Sequence, residues 1–194
     1  MQARDAVAGL ATTFTGNVTL AIGTNPGTST IGGTVTVAAV GGIATFPNIT
    51  LNNTGNGYTL TATSGVLPVA TSGTFHITPA LAANLTITAG NSQSANARSV
   101  LPTPLTVTVT DAFTNTVPGV AVGFAITTGG GSLGTTAAVT NAAGQATSVW
   151  TLGGLAGAKT VTATSAGLAG SPALFTATGI VVGLRVWSGR CITL

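Results

Sequence analysis

The sequence predicts an all-β protein made of two tandem β-sandwiches, of which the first lacks its N-terminal strands. Three observations lead to this fold class. Apolar residues alternate with threonine in short runs, clusters of glycine, asparagine and proline separate those runs, and the two halves of the chain repeat each other. Short alternating runs with frequent turn signals are typical of sandwiches and barrels, and no segment reads as a convincing helix.

Period-two alternation gives each predicted strand one buried and one solvent-facing side. Threonine is β-branched and fits a pleated surface, so here it takes the outward positions that Lys and Glu fill in other proteins. The clearest alternating runs are 18–22, 34–37, 58–63, 105–110 and 160–164. The turn clusters that separate the runs include 23–27, 53–57 and 129–132.

The chain contains an internal repeat. Residues 58–64 (YTLTATS) return as 159–165 (KTVTATS), 101 positions later. Three further pairs keep the same order, at spacings of 106, 102 and 100: Asp5 with Asp111, 42–45 with 144–147, and Phe75 with Phe175. These anchors indicate two copies of a unit of about 100 residues, which is the size of an immunoglobulin-like sandwich.

The repeat also predicts the domain boundaries. Two predicted strands, 83–88 and 105–110, precede Asp111 in the second copy, whereas Asp5 is the fifth residue of the chain. With the second copy starting near Ala80, Asp111 is its 32nd residue, so 27 residues of the unit have no counterpart before Asp5. We therefore expect a truncated sandwich at 1–79, a complete one at 80–179 and a divergent tail at 180–194.

The expected truncation has two consequences. Residues 1–79 expose a sheet edge or an apolar slot, which is a template for another strand, and are poorly folded when isolated, whereas 80–179 fold. The tail abruptly brings two Arg, a Trp and the only Cys, and so differs in composition from the repeats. The hypothesis is that the chain is a fragment of a longer tandem array with a non-native tail.

Three motifs resemble the bacterial Ig-like repeats of the invasin and intimin type. Residues 101–120 (LPTPLTVTVTDAFTNTVPGV) follow the family's long opening motif, with 90–94 (GNSQS) before it. Residues 140–147 (TNAAGQAT) and 160–165 (TVTATS) match its mid-domain and late strands. The resemblance covers 80–179 well and the first copy more loosely. It implies Ig-like sandwiches that serve as modules of a large surface or secreted protein.

The chain departs from the family's pattern at a few positions. Thr114 and Thr116 replace the glycine and the proline of the turn after Asp111, and Asn141 replaces an acid. The turn is then expected to be less rigid, while the strands around it keep their pattern.

Composition argues against an enzyme. Charged residues make up 4% of the chain, against about 25% in an ordinary soluble domain. The only acids are Asp5 and Asp111, 106 positions apart, so paired-carboxylate chemistry and carboxylate metal sites are not expected. One His and one Cys cannot form a zinc site or an internal disulfide. The sequence therefore predicts no catalytic, cofactor-binding or metal-binding residues and no cofactor.

Partners and location are constrained in the same way. The net charge of +3 comes from scattered basic residues without a stripe that could follow a phosphate backbone, so nucleic-acid binding is not expected. No apolar run reaches the ~18 residues of a membrane span, and the N-terminal residues do not read as a signal peptide. The resemblance implies an extracellular or bacterial cell-surface location, with neighbouring Ig-like repeats as partners and host or matrix glycans or proteins as further ones.

Three residues are weighed individually. Asp111 ends a predicted strand before a turn, so capping of turn amides is favoured over a calcium ligand at a domain junction. Lys159 invites comparison with lysines of intramolecular isopeptide bonds, but the first copy has Tyr58 at its position and the chemistry needs a buried acid. His76 lies on a strand between Phe75 and Ile77 and is expected to point to solvent.

Apolar positions of the core phase predict the two hydrophobic cores. The second sandwich is expected to be filled by Trp150, Phe124, Ile126, Leu133, Val161 and Phe175. The first is expected to be filled by Leu20, Ile22, Phe46, Ile49, Leu60, Phe75 and Ile77.

Two functions remain open at this point. The favoured one is a structural spacer or stalk module of an adhesin-like surface protein, without catalysis. The alternative is a module that binds carbohydrate or protein through loops such as 24–33 and 128–135. Sugars and proteins are usually gripped by Trp and Tyr, and neither loop contains an aromatic residue, which favours the spacer.

Overall fold

A computed structural model describes residues 1–65 and 67–181 of the chain, and within these ranges the regular elements are all β-strands. The predicted all-β class is confirmed. The chain divides into two compact units, Met1–Pro79 and Ala80–Leu194, and each is described by itself. The predicted tail, from residue 182 onward, lies outside the described residues.

The first unit is built on one four-stranded sheet. Its strands are β1 (Asn17–Ile22), β2 (Thr36–Ala38), β3 (Gly55–Tyr58), β4 (Leu60–Thr63), β5 (Ala70–Thr71) and β6 (Phe75–Ile77). The sheet has the order β2-β1-β4-β5, and β3 pairs separately with β6. The alternating run 58–63 is therefore two strands rather than one. The break lies at Thr59, whose backbone bonds with Gly23 and Thr24, so the chain passes from one sheet to the other there.

The second unit is a sandwich of two main sheets. Its strands are β7 (Ala82–Ala89), β8 (Gln93–Asn96), β9 (Leu105–Asp111), β10 (Ala121–Thr128), β11 (Gly131–Leu133), β12 (Ala137–Val139), β13 (Gln145–Ser148), β14 (Trp150–Leu152), β15 (Gly157–Thr164) and β16 (Ala173–Ile180). One sheet has the order β12-β10-β15-β16-β8 and the other β13-β9-β7, while β11 pairs with β14. The pairings are antiparallel except that β8 runs parallel to β16. This is an immunoglobulin-like arrangement.

Alternation explains how the second core forms. Along β16 every second residue is buried, beginning with Ala173, and the residues between them are exposed. Side chains from both sheets meet in one cluster, where Val107 of β9 faces Phe124 of β10 and Phe175 of β16. Predicted core residues Trp150, Phe124, Val161 and Phe175 are buried, and Ile126 and Leu133 pack partly buried against them. The predicted core of this unit is confirmed.

The first core is smaller than predicted. Its buried residues are Val18, Leu20, Ala39, Ala44 and Ala62. Of the predicted residues only Leu20 is buried, and the others are half-buried. Tyr58, which the prediction missed, is fully buried and stacks on Phe75 at a ring-centroid distance of 5.8 Å. Small alanines and one tyrosine thus supply what larger aliphatic residues supply in the second unit.

The two units share hydrogen bonds at equivalent positions. Ala3 N–H donates to the Gly42 oxygen, and Val109 N–H donates to the Gly144 oxygen in the same way. The antiparallel bridge between Gln2 and Ile43 likewise corresponds to the pairing of Thr108 with Gln145. Residues 1–5 of the first unit therefore occupy the place that 107–111 of β9 occupy in the second.

Candidate functional site

Asp111 lies at the end of β9 and holds two separate segments of the second unit. Its Oδ2 accepts hydrogen bonds from Ala80 N–H and from the side-chain amide of Asn115, both at 2.9 Å. Its Oδ1 accepts from the backbone amides of Phe113 and Asn115, again at 2.9 Å. The carboxylate is 1% exposed, so it caps the turn and fastens the first residue of the unit.

The pKa of Asp111 follows from this environment. Burial alone raises the pKa of the carboxyl, because it disfavours the charged form. The hydrogen bonds from Asn115, Ala80 and Phe113 stabilise the carboxylate and outweigh burial, so the pKa lies below its ordinary value. A carboxylate held ionised by four donors is suited to a structural role.

Equivalent turns show that the capping is a property of the repeat. Asp5 Oδ1 accepts from the backbone amides of Val7 and Gly9, at 3.0 and 2.7 Å. Asn141 Oδ1 accepts from Ala143 and Gln145, at 2.9 and 3.0 Å. An amide oxygen therefore does at position 141 what the family's acid is expected to do. In the described part of the chain no three His, Cys, Asp or Glu residues come together as metal ligands would.

Lys159 is the buried charged group of the second unit. It is 1% exposed, and its Nζ donates to the backbone oxygen of Gly129 at 2.7 Å. A Cβ at Gly129 would come within 2.4 Å of Lys159 Cγ, and one at Gly179 within 2.7 Å of its Cε. Two glycines thus make room for the lysine. Its acceptor is a backbone carbonyl rather than an Asn or Asp side chain, so the geometry is that of a cap on the 129–131 loop.

His76 lies on β6 with its side chain exposed, as predicted. Its Nδ1 accepts a hydrogen bond of 3.3 Å from the backbone amide of Gly57 on β3. The imidazole therefore ties the two strands of this pair at the surface.

The loop 24–33 contains a network that the sequence did not predict. Asn25 and Ser29 exchange two hydrogen bonds of 2.8 Å, and the Ser29 Oγ accepts from Asn53 N–H at 2.8 Å. Asn53 Nδ2 donates to the Gly27 oxygen, and Tyr58 OH donates to the Asn53 oxygen at 2.8 Å. The signal was the local clustering of Asn and Ser, which favour side-chain to backbone bonds in turns. These polar groups bond to one another, which leaves them occupied inside the loop.

The parallel pair β8–β16 joins the first and last strands of one sheet. Gln93 lies opposite Ala177, and the register continues to Asn96 opposite Ile180. The pair is reinforced at both ends. Asn91 Oδ1 accepts from Thr176 N–H at 2.9 Å, and Ala97 N–H donates to the Ile180 oxygen at 2.8 Å.

None of the described segments is a helix long and apolar enough to cross a membrane.

Comparison with known proteins identifies similar folds. No family model matches the chain, and no curated protein matches it. Among solved structures, the crystal structure of the integrin-binding protein invasin is 19% identical over 93% of this chain and 34% of its own, with a TM-score of 0.44. The Yersinia pseudotuberculosis adhesin InvE is 19% identical over 92% of this chain and 52% of its own, at 0.41. The D00-D0 domain of intimin is 18% identical over 87% and 86%, at 0.39. The chain is thus similar in fold to bacterial Ig-like domains of the invasin and intimin type.

Proposed function

We propose that the chain is a structural spacer module of a bacterial extracellular or cell-surface adhesin-like protein, that it carries mechanical load, and that it has no catalytic role. The observation that supports this most is the parallel pair β8–β16. The chain enters the pair at Gln93 and leaves it at Ile180, so the two strands face the N-terminal and C-terminal sides of the module.

The geometry of this pair sets how it responds to force. Tension pulls β8 and β16 in opposite directions along their common axis, because the strands are parallel and loaded from opposite ends. The evenly spaced hydrogen bonds of a parallel ladder then share the load instead of opening one at a time. Asn91 and Ala97 add bonds at the two ends of the pair.

The loops agree with a spacer better than with a binding module. In loop 24–33 the side chains of Asn25, Ser29 and Asn53 are held by internal hydrogen bonds. At the other candidate loop, Gly129 accepts from Lys159, and Thr135 exchanges hydrogen bonds with Ser148. Groups that are already bonded inside the protein are poorly placed to recognise a ligand. The partners of the module are then neighbouring repeats rather than glycans or host proteins.

Single-molecule pulling of the full chain from its two ends tests the proposal. We expect Asn91→Ala to lower the unfolding force of the second unit, because it removes the acceptor of Thr176 N–H at the loaded pair. Asn141→Ala is the matched control, since it removes an asparagine that accepts two backbone amides away from β8 and β16. Equal unfolding forces for the two variants would contradict a load-bearing role for this pair.

A further inference from the structure

The first unit has an uncovered strand edge at residues 1–5, and the second unit shows what covers the equivalent edge. In the second unit β7 runs antiparallel along β9, with Asn84 opposite Thr110 and Thr86 opposite Thr108. Gln2 and Arg4 hold the places of Thr108 and Thr110. Within residues 1–65 and 67–79 no strand lies along the corresponding side.

The backbone groups at this edge point away from their own sheet. The bridge between Gln2 and Ile43 is closed by its neighbours, since Ala3 N–H donates to the Gly42 oxygen and Ala44 N–H to the Met1 oxygen. Successive residues of a strand direct their N–H and C=O groups to opposite sides. The corresponding groups of Gln2 and Arg4 therefore face the uncovered side, where the described residues give them no partner.

An apolar cavity opens along the same edge. It has a volume of about 190 Å³ and is lined in part by Gln2 and Arg4. Three residues of the first core, Val18, Ala39 and Ala62, also line it. The cavity therefore leads from the strand edge to the hydrophobic core.

In the second unit the equivalent space is filled by β7. Leu85 of β7 is 3% exposed and belongs to the core, and Leu168 packs against the same cluster. Leu67 takes the position of Leu168, because each donates its N–H to the serine three residues earlier, Ser64 or Ser165. Without a strand like β7 beside it, Leu67 is 44% exposed and Val69 61%.

We propose that residues 1–5 and the adjoining cavity form a groove that accepts a strand, and that its occupant is an extended segment of another polypeptide with the pattern of β7. The segment pairs antiparallel with residues 1–5 and places a leucine side chain opposite Ala3, as Leu85 lies opposite Val109. Main-chain hydrogen bonds supply affinity in such strand addition, and the side-chain pocket supplies specificity. The inference does not depend on the spacer role.

One position makes this groove weaker than its counterpart. In the second unit Ala169 N–H donates to the Ala83 oxygen and its own oxygen accepts from Leu85 N–H. Pro68 takes the place of Ala169 and has no N–H to donate. The occupant is then held chiefly by the edge at Gln2 and Arg4, which fits reversible binding.

The test uses the intact chain and a fluorescent peptide with the sequence of residues 80–90, followed by two lysines for solubility. Fluorescence anisotropy is expected to show saturable binding of one peptide per chain. A peptide with Leu85→Asp is expected to bind at least about thirtyfold more weakly, because an aspartate cannot fill an apolar cavity. Absence of binding, or equal binding of the two peptides, would overturn the proposal.

Variants of the protein locate the peptide. Arg4→Pro removes the outward N–H and is expected to weaken binding about fivefold, whereas Arg4→Ala, which keeps that N–H, is expected to leave binding unchanged. Thermal melts of both variants check that the first unit remains folded. Binding that Arg4→Pro does not alter would place the peptide elsewhere, such as in exchange with β7 of the second unit, and would overturn the proposal. A chain that elutes as a dimer and rejects the peptide would do the same.

Discussion

The ammonium of Lys159 donates a hydrogen bond of 2.7 Å to the carbonyl oxygen of Gly129, at a position where the side chain is 1% exposed. Burying an ammonium without an opposite charge costs free energy, and the single hydrogen bond offsets only part of that cost. We expect Lys159→Met, which keeps the packing of the stem, to change the free energy of unfolding by less than about 1 kcal/mol. Lys159→Ala is expected to lower it by about 2–4 kcal/mol, because it leaves a cavity. Denaturant unfolding measures both.

A Met variant as unstable as the Ala variant would contradict this expectation. It would mean that the hydrogen bond to Gly129 contributes more than the packed stem.

The sequence predicted strands better than it predicted their partners. Alternation identified β9, β15 and β16 because their apolar residues face one side, and the repeat placed Asp5 and Asp111 in equivalent turns. It did not predict the parallel pair β8–β16, because Gln93–Asn96 is polar and its partner lies more than eighty residues away. A local pattern carries no information on such a pairing.

The individual side chains show the same limit. Asp111 was interpreted as a turn cap from its neighbours in sequence, and its bonds to Phe113 and Asn115 are local. Its bond to Ala80 is not, and the sequence gave no signal of it. Tyr58 and Lys159 occupy equivalent buried positions, yet a polar tip on either residue would ordinarily suggest exposure.

Stability at low pH is expected to depend on Asp111. Its pKa is lower in the folded state than the ordinary value of 3.8, so its contribution is complete above that value and is lost as the pH falls through the folded-state pKa. Asp111→Asn is expected to lower the free energy of unfolding at neutral pH by about 1–3 kcal/mol and to flatten its decline below pH ~4. Chemical unfolding of the second unit at several pH values measures this. Asp5→Asn serves as the control, and an unchanged acid profile in Asp111→Asn would refute the assignment.

Backbone strain is expected at Thr114, where the resembled family has glycine. Its φ is 69°, in the left-handed region that a β-branched residue adopts at a cost of about 1–2 kcal/mol. Thr114→Gly is expected to stabilise the second unit by up to about 1 kcal/mol, since the gain in φ freedom is partly offset by the unfolded-chain entropy of glycine. Thr114→Ala keeps a Cβ and is expected to gain less. The midpoints of thermal unfolding compare the three chains, and a Gly variant that melts below the parent would contradict the expectation.

The indole of Trp150 combines a core position with an unpaired donor. The side chain is fully buried, and its Nε1 has no hydrogen-bond partner. Trp150→Phe loses volume but also removes a buried unsatisfied N–H, which by itself costs about 1–3 kcal/mol. We expect this substitution to destabilise the second unit less than Phe175→Leu, which removes aromatic volume from an equally buried residue without a polar atom. Urea unfolding of both variants ranks them, and the reverse order would show that Nε1 is satisfied in solution.

The two units are expected to unfold separately, the first at the lower temperature. Among the described residues the second core contains fifteen buried apolar residues and the first only five, three of which are alanine. Since apolar burial contributes about 25 cal/mol per Å², the smaller core supplies less of the free energy that offsets chain entropy. Calorimetry of the full chain should show two transitions, with Leu20→Ala shifting only the lower one and Val161→Ala only the upper. A single transition that both substitutions shift would mean that the units unfold together, and that the small first core is stabilised by the second.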